Sequence, residues 1–586
     1  MGDEVSRSTD DRERYLISRR DLLRRVAFLI GGVSVAGPLL EACAPAPSQP
    51  SQAAPAATSA SGAAPAAPAL GATAAPAAAQ PRAGGTYTHG SQQEPDRIWG
   101  PITGLTVSNE IEQLVNGSLV RIDDKLQYVP YLATEVPTLE NGGISKDGLT
   151  YTFKLRKNVR WHDGQPFTSK DVKFTYDVIM MQGVDVRGRV GWDQIDKVDT
   201  PDDYTVVYHF KSIDAPFLGR VVIANVLPQH ILGGLSGDAI NKHQWFRAPV
   251  GVGPYKFKEW VPGSYISLVK NPDYFKKGQP YFDAVIYKIV PDANSLLNQL
   301  QTGEIDSRVR LNNEHVDIVK GMKNVHLVSV PSVTPWLLWM NNTKPPFNDE
   351  SVRQALAYGF DKQGIAKTLL KGYVEPAWQL VSPLSWAYNP NVVKHKYDPN
   401  KAKQILDGAG WKPGSDGIRE KDGNKLSFEI LNIAGEQERV QILSFIQAQW
   451  KDIGVDAKIK AVDVGTMWGN ALPKRDYQMA YSYTGRQADP DVAGWYMSPD
   501  RKPAYNFAGY SNPQVDDLLT QALQTVDRNK RKELYFKVQE IVADDVVYLF
   551  LFWLANHTAL NNRVQGYKPG PGYVEFWNAD EWWLSQ

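Results

Sequence analysis

The chain has 586 residues, with 64 Lys and Arg against 64 Asp and Glu, and it contains one cysteine. A neutral balance without a basic run argues against nucleic acid as a partner, and one cysteine excludes a disulfide framework and a thiolate metal site. Beyond the N-terminal segments, about 500 residues are too many for one compact core, so two large lobes are expected.

Residues 1–43 have the pattern of an export signal. Arg19 and Arg20 precede an apolar run, Val26–Leu40, and Cys43 follows that run. At about 15 residues the run is shorter than the roughly 20 that a membrane-spanning helix needs. Paired arginines, a short apolar stretch and a small residue before a lone cysteine predict a twin-arginine signal and a lipoprotein with Cys43 as lipidation site. The alternative is an ordinary N-terminal membrane anchor.

Residues 44–83 are almost entirely Ala, Pro, Ser, Gln and Gly, and Arg82 is their only charge. Such a segment has little apolar surface to bury and cannot offset the entropy lost on ordering. It is therefore predicted to be a disordered tether between the signal and the folded body.

Alternating strands, turns and one capped helix are predicted in the first half of the body. Alternation predicts strands over residues 85–90 and 151–156. Thr168 and Asp171 form an acidic variant of the capping box and predict a helix that continues through Val178. The turn and loop signals are Ser145-Lys146-Asp147-Gly148, Asp163-Gly164 and Gly251-Val252-Gly253-Pro254-Tyr255.

The second half has more helix signals. Asn348-Asp349 and Asp398-Pro399 predict helix starts. The other predicted elements are a strand over 426–430, a helix over about 437–453, a strand over 457–461, one long helix over about 513–544 and an apolar run over 546–552. The strand–helix–strand order predicts a right-handed crossover in a mixed sheet. The chain is therefore expected to be an α/β protein of two lobes.

Signatures of catalysis are missing from the sequence. It has no Gly-x-Ser-x-Gly elbow, phosphate loop or His-Glu-x-x-His motif, and Gly251-Val252-Gly253-Pro254 lacks the third glycine of a dinucleotide fingerprint. His162-Asp163 could be a base with its orienting acid. Neighbours on an extended segment point to opposite sides, however, which favours a turn element. We expect no enzyme activity, no cofactor and no metal site.

The segments that carry these signals also follow one family pattern in order. The chain resembles the extracytoplasmic solute-binding proteins of ABC importers, in the oligopeptide-, dipeptide- and nickel-binding class. The likeness extends over essentially the whole chain from Gly85. It is carried by Ser145–Thr152, Leu155-Arg156-Lys157, Trp161–Val172, Gly251–Phe257, Asn342-Thr343 through Pro346-Phe347 to Leu356, and Asn506–Pro513.

The resemblance implies a two-lobed periplasmic-binding-protein fold, of the large class with an extra subdomain in lobe I, built on mixed sheets with flanking helices. Lobe I would comprise residues 84–332 and 548–586, and lobe II residues 333–547. The hinge crossings would lie near Pro331 and near Val547. Such lobes close over the solute, and the permease recognises the closed form.

The same resemblance implies two solute-contacting segments, 90–95 in lobe I and 481–487 in lobe II. Peptide binders of this class place an aspartate near the end of the second segment, where this chain has Arg486. Arg486 would favour a carboxylate or another anion through a bidentate pair. Equally, Arg486 could bridge to Asp489 or Asp491 inside the lobe. The candidate ligand-binding residues in these segments are Gln92, Gln93, Glu94, Tyr483, Thr484, Gly485, Arg486, Gln487 and Asp489.

Four tryptophans flank loops that would face the cleft, namely Trp378, Trp386, Trp468 and Trp495. Each is a candidate platform for a sugar ring or a ligand side chain, although the area that a tryptophan buries favours packing for each one alone.

These observations favour a lipid-tethered, monomeric receptor that delivers a small peptide or related solute to ABC permease subunits. The protein would be extracytoplasmic and attached to the membrane through its lipid. An oligosaccharide ligand on the same fold is the alternative, with tryptophans stacking on its rings. A surface hydrolase is a remote one. Nickel is less expected, because no histidine lies near Arg486.

Overall fold

The computed structural model of the protein describes residues 80–585 except positions 104, 436, 486, 487, 502 and 573. The predicted export signal with Arg19, Arg20 and Cys43, and the tether up to residue 79, lie outside the described residues. In the part that is described, no helix combines the length and apolar character needed to cross a membrane.

Strands within the described residues form one large mixed sheet and several small ones. The large sheet has 11 strands in the order β17-β16-β18-β11-β19-β10-β1-β9-β8-β7, with β12 paired to β19. The strand bounds are β1 Thr86–Ser91, β2 Val120–Ile122, β3 Tyr128–Pro130, β4 Thr150–Lys154, β5 Ile195–Asp202, β6 Thr205–Phe210, β7 Tyr255–Val261, β8 Tyr265–Lys270, β9 Ala284–Ile289, β10 Ser307–Arg308, β11 Val325–Met340, β12 Glu375–Pro376, β13 Lys412–Pro413, β14 Arg419–Lys421, β15 Asn424–Lys425, β16 Ser427–Ile433, β17 Asp456–Val462, β18 Met479–Tyr483, β19 Tyr548–Asn561, β20 Val564–Gln565 and β21 Trp583–Leu584.

Helices flank these sheets. The α-helices are α1 Thr106–Val115, α2 Ser169–Met180, α3 Phe217–Ile223, α4 Gln229–Leu232, α5 Gly237–Lys242, α6 Ala293–Thr302, α7 Asn313–Lys320, α8 Glu350–Tyr358, α9 Lys362–Gly364, α10 Pro399–Gly408, α11 Gln437–Asp452, α12 Leu472–Lys474, α13 Ala493–Tyr496, α14 Pro513–Leu523 and α15 Arg528–Asp544. Short 3₁₀ turns occur at Trp192–Gln194, Gln244–Phe246, Pro499–Arg501 and Ala579–Glu581, and π-helical turns at Ile365–Leu369 and Thr466–Ala471.

Two long antiparallel strands, β11 and β19, run through the middle of the large sheet. Beyond β19 lie β10, β1 and β9, where β1 is parallel to both of its neighbours. Beyond β11 lie β18, β16 and β17, where β16 is parallel to both of its neighbours. The register of β11 against β19 shifts between Pro331 and Pro335, where Pro331 pairs with Ala555 and Pro335 with Trp553. The register shifts again between Trp336, which pairs with Phe552, and Leu337, which pairs with Phe550. The long pair therefore connects two groups of parallel strands and is irregular at two nearby points.

The buried hydrophobic side chains of the described residues fall into two halves. Three clusters draw on residues 87–325 and 559–582, and two clusters draw on residues 336–553. We use lobe I for the first half and lobe II for the second. The fold is the two-lobed α/β fold that the resemblance implies. Tyr548 to Trp553 pack within the lobe II clusters, whereas the expected boundary assigned them to lobe I.

Helix starts predicted from capping residues are confirmed. Asp349 Oδ1 accepts from the backbone N–H two residues later (3.0 Å), and Asp398 Oδ1 accepts from the one three residues later (2.9 Å). The Asp171 carboxylate accepts from the backbone N–H of Thr168 at 2.9 Å. The strands predicted by alternation are present as β1, β4, β16 and β17, and the last two pair in parallel. Local signals were sufficient for these elements.

The prediction of one long helix over 513–544 is wrong, because the chain forms α14 and α15 with a break between them. Asp527 caps α15, accepting from backbone N–H groups two and three residues later (2.9 and 3.0 Å). In the break, Val526 packs against a lobe I cluster, and Leu523 O accepts from Ala215 N at 2.9 Å. The break is therefore a point of contact between the lobes.

His162 acts as a structural tie, as its turn context indicates. Its Nδ1 accepts from Gly251 N at 3.1 Å, and its Nε2 lies 3.0 Å from Gly253 O. A Cβ at Gly251 would lie 1.8 Å from Val115 O, so only glycine fits this crossing. Asp163 instead bonds to His230 (2.7 Å), and no base–acid couple forms between His162 and Asp163.

Candidate functional site

The carboxyl ends of both groups of parallel strands lead into the segments that the sequence predicts to contact solute. In lobe I, β1 ends at Ser91, immediately before Gln92, and β10 ends at Arg308. In lobe II, β18 ends at Tyr483, directly before Thr484. In open α/β sheets, ligands bind beyond the carboxyl ends of the parallel strands. These two edges are therefore the candidate solute site, one from each lobe.

The lobe I edge is held by hydrogen bonds between loop side chains. Gln92 is exposed, and its Oε1 accepts from Arg308 Nη2 at 2.6 Å. Gln93 is exposed as well. Glu94 is engaged within the lobe, because its carboxylate accepts from Trp260 Nε1 (2.7 Å) and from a backbone N–H (3.1 Å). The Gln92 amide also donates from Nε2 to Pro291 O at 3.3 Å, so Gln93 offers the freest side chain of the three.

The lobe II edge places polar and aromatic groups side by side. Thr484 is buried, and its Oγ1 accepts from Trp495 Nε1 at 2.9 Å. Trp495 is half-buried and stacks on Tyr505 with ring centroids 4.8 Å apart. Tyr483 is half-buried with its ring 5.2 Å from that of Trp336, and Gly485 is exposed.

Arg486 and Gln487, which continue this edge, lie outside the described residues.

Asp489 forms a buried ion pair with Arg531 of α15. Arg531 Nη2 lies 2.8 Å from Asp489 Oδ1, and Nη1 lies 3.1 Å from Oδ2. The two residues are 9% and 5% exposed. Arg531 Nη2 also donates to Tyr535 Oη at 2.9 Å. Both carboxylate oxygens of Asp489 are thus bound by an arginine from outside the segment, a partner that the sequence pattern does not indicate.

A second buried ion pair, Asp214–Arg220, belongs to lobe I, and its charges interact with those of Asp489. Burial raises the pKa of Asp214, Arg220 opposes that shift, and the charge of Asp489 adds to it. Tyr128 lies in the same region, and burial and the charge of Asp489 raise its pKa well above the usual value. Its hydroxyl is buried with no hydrogen-bond partner among the described residues. Charged groups of both lobes therefore meet across a region of low solvent access.

A small crevice lies between the lobes near Asp489. It is lined by Leu126, Val333, Val381, Ser382, Ser385, Ala488, Asp489 and Pro490. Its free volume is about 10 Å³, room for no more than one water molecule, so it is not a site for a peptide.

The other three tryptophans are half-buried, and the structure does not bring them together. Lys362 Nζ lies 4.2 Å from the Trp378 ring centroid, and burial lowers the pKa of Lys362 to about 7. Trp386 lies beside the Asp489 pair, with the Arg531 guanidinium 5.6 Å from its ring. Trp468 packs near Trp339 and Phe507 at centroid distances of 6.5 and 6.3 Å.

No group of three or more His, Cys, Asp or Glu side chains able to hold a metal ion occurs in the described part of the chain.

Sequence reasoning missed Arg308, Arg531 and Tyr128. Arg308 is the last residue of a two-residue strand, Arg531 lies within a helix, and Tyr128 lies in a short hairpin. No motif surrounds any of them, and only the three-dimensional pairing brings them to the two edges.

The fold is that of a protein of two lobes joined by paired strands, with a candidate site at the strand ends of each lobe. The model of the bacterial extracellular solute-binding proteins, family 5 (middle region), matches residues 127–506. The chain belongs to this family, the solute-binding proteins of ABC importers.

Individual relatives cover most of the chain. The oligopeptide-binding protein AppA of Bacillus subtilis (strain 168) is 33% identical over 520 residues, which are 87% of this chain and 93% of AppA. The glutathione-binding protein GsiB of Pectobacterium atrosepticum is 31% identical over 449 residues, 75% of this chain and 84% of GsiB.

Two solved structures of relatives have similar folds. AppA of Bacillus subtilis in complex with a nonapeptide has a TM-score of 0.75 and 32% identity, covering 86% of this chain and 100% of that one. NikZ of Campylobacter jejuni in complex with Ni(L-His) has a TM-score of 0.74 and 28% identity, covering 85% and 99%.

Proposed function

We propose that this protein captures a small peptide between its two lobes and delivers it to an ABC permease. The observation that carries the proposal is the pair of carboxyl edges, Gln92–Arg308 in lobe I and Tyr483–Thr484 in lobe II, on either side of one long strand pair. Whole-chain similarity to an oligopeptide-binding protein supports peptide as the ligand.

The hinge of this trap would lie where β11 and β19 lose register, at Pro331–Pro335 and Trp553–Ala555. Paired strands on both sides of this point keep each lobe rigid, so that rotation concentrates in the irregular segment. The second hinge crossing would then lie several residues after Val547, whereas the sequence predicts it near Val547 itself.

Peptide binding should stabilise the protein measurably. We expect pools of peptides of two to nine residues to raise the unfolding temperature, since a ligand at about 100 times its dissociation constant adds roughly 2.7 kcal/mol. Differential scanning calorimetry of the purified protein measures the shift, and small-angle X-ray scattering follows closure. Matched oligosaccharide pools are the control. Stabilisation by sugars alone would contradict the proposal.

A peptide receptor accounts for the site better than the other functions considered. The relatives are named for peptide and glutathione binding, so an oligosaccharide ligand is not favoured. These relatives are binding proteins rather than enzymes, so a surface hydrolase is the least supported of the three functions. We expect the receptor to act as a monomer, because the proposed mechanism needs only one pair of lobes and a permease.

The N-terminal pattern supports a lipid anchor at Cys43, in agreement with the extracytoplasmic character of the family. Cys43→Ser removes the thiol that would carry the lipid, so we expect the variant to move from the membrane fraction to the soluble extracytoplasmic fraction. Immunoblotting of cell fractions measures this. Ser48→Ala, in the tether, is the control and should leave the protein on the membrane. Retention of the Cys43→Ser variant there would favour an N-terminal helical anchor.

A further inference from the structure

Arg308 is a buried cation at the lobe I edge of the proposed site. It is 2% exposed; its Nη2 donates to Gln92 Oε1 at 2.6 Å and its Nη1 to Ala293 O at 3.3 Å. Among the described residues, no carboxylate hydrogen-bonds to it. Burial lowers its pKa to about 10, and the charge of Glu314 opposes that shift. A buried guanidinium that bonds only neutral oxygens lacks the charge-assisted partner that compensates desolvation best.

Other buried arginines nearby or in similar settings are better satisfied. Arg310, which lies two residues after Arg308, forms ion pairs with Glu110 and Glu575. Arg353, which also bonds no carboxylate, donates to three backbone carbonyls at 2.7–3.2 Å. Arg308 has one backbone partner, and its second partner is an exposed amide side chain. The Nε2 of that amide donates to Pro291 O at 3.3 Å, a long hydrogen bond, so the amide can move away when a stronger acceptor arrives.

The surroundings of Arg308 contain one carboxylate, Glu314, 3.5 Å from His315 Nε2, and several features that favour further negative charge. Helix α7 begins at Asn313, close to the end of β10, and the side chain of its N-cap residue Asn312 makes no capping hydrogen bond. Helix N-termini carry partial positive charge. His315, in the first turn, is 7% exposed, and its Nδ1 has no hydrogen-bond partner among the described residues. The charge of Arg308 contributes to lowering the pKa of His315, so the two groups are close.

We propose that Arg308 binds a carboxylate of the solute, and that the Gln92 carboxamide oxygen occupies the position of one carboxylate oxygen until the solute arrives. This assignment rests on the proposed peptide-binding function and narrows it to ligands with a negative group at the lobe I edge. A planar guanidinium matches a carboxylate with two parallel hydrogen bonds.

The test uses Gln92→Glu, which places a carboxylate of the protein on Arg308 and blocks the subsite. Gln301→Glu is the matched control, because it adds the same charge to an exposed side chain of lobe I, at the end of α6 opposite to Ala293, the helix residue that Arg308 contacts. Both changes are at exposed positions and leave Arg308 in place, so folding is preserved. Four pools of peptides of two to nine residues are prepared. The C-terminus is either a free carboxylate or an amide, and at each kind of C-terminus the side chains include either Glu and Asp or Gln and Asn.

We expect the wild-type protein to bind a carboxylate pool about 10- to 100-fold more tightly than its amide counterpart, as for a charge-assisted hydrogen bond. Gln92→Glu should remove most of this preference, and Gln301→Glu should retain it. A preference for free C-termini over amidated ones identifies the terminal carboxylate as the bound group. A preference for Glu and Asp over Gln and Asn identifies a side-chain carboxylate. Isothermal titration calorimetry gives the dissociation constants.

Three outcomes would overturn the assignment. If the wild-type protein binds carboxylate and amide pools equally, Arg308 does not receive a ligand carboxylate, although peptide binding stands. If both variants lose the preference to the same extent, long-range charge accounts for it. If no peptide pool binds, the proposed function fails and the Arg308 assignment fails with it.

Discussion

Replacing Arg531 with methionine is expected to lower the free energy of unfolding by about 3–5 kcal/mol, the usual loss when one partner of a buried ion pair is removed. Asp489 is 9% exposed, and both of its carboxylate oxygens bond to Arg531. Without the guanidinium, a buried carboxylate would remain with only the Asp491 backbone N–H, 3.0 Å from its Oδ1. Methionine fills much of the same volume, so that loss of charge dominates the effect. Urea denaturation of the purified variant measures it.

Two further variants separate charge from packing. Arg528→Met removes an exposed arginine from the same helix, one that also lies over Trp386, and should cost less than about 1 kcal/mol. Asp489→Asn combined with Arg531→Met removes both charges while the amide oxygen still accepts from the backbone. This double variant should recover part of the loss. A double variant no more stable than Arg531→Met would show that packing, not charge, sets the cost.

Side chains close in sequence were sufficient to predict where short helices begin. They were insufficient where contacts with distant segments determine the secondary structure. The capping side chains of Asp349 and Asp398 bond within three residues of their own positions, so sequence indicates them directly. The apolar run 546–552 instead became part of the 14-residue strand β19, whose second half pairs with β11 more than 200 residues away. The break between α14 and α15 likewise depends on contacts with lobe I.

The candidate site divides in the same way. The family resemblance predicted the segments after β1 and β18, because it assigns solute contacts by position along the chain. Glu94 and Asp489 were candidates for the ligand, yet their carboxylates bond to Trp260 and to Arg531, partners distant in the sequence. Arg308 becomes a candidate only when β10 is placed beside β1. Pairing between distant segments therefore determines which charges remain for a solute.

Replacing Glu112 with glutamine is expected to remove a loss of stability that the wild-type protein suffers as the pH rises from about 5 to 8. Glu112 is 2% exposed, and burial raises its pKa from 4.5 to about 8, opposed by hydrogen bonds from Gly100 N to its carboxyl oxygens. The folded protein therefore keeps the proton that the unfolded chain releases above pH 4.5. The stability from the neutral carboxyl is fully present below pH 4.5 and is lost as the pH rises through 8, by roughly 5 kcal/mol in all at 1.36 kcal/mol per pKa unit.

The comparison that isolates this effect is the difference in unfolding free energy between variant and wild type at pH 5 and at pH 8. We expect Glu112→Gln to gain several kcal/mol relative to the wild type between these values, because an amide in this position has no proton to lose. His89 and His162, whose pKa values burial lowers to about 4, contribute an opposite slope that is common to both proteins and cancels. Glu140→Gln, at an exposed glutamate, should follow the wild type. Parallel pH profiles for Glu112→Gln and the wild type would mean that Glu112 ionises in the folded protein as easily as in the unfolded chain, through local opening of the loop at Gly100.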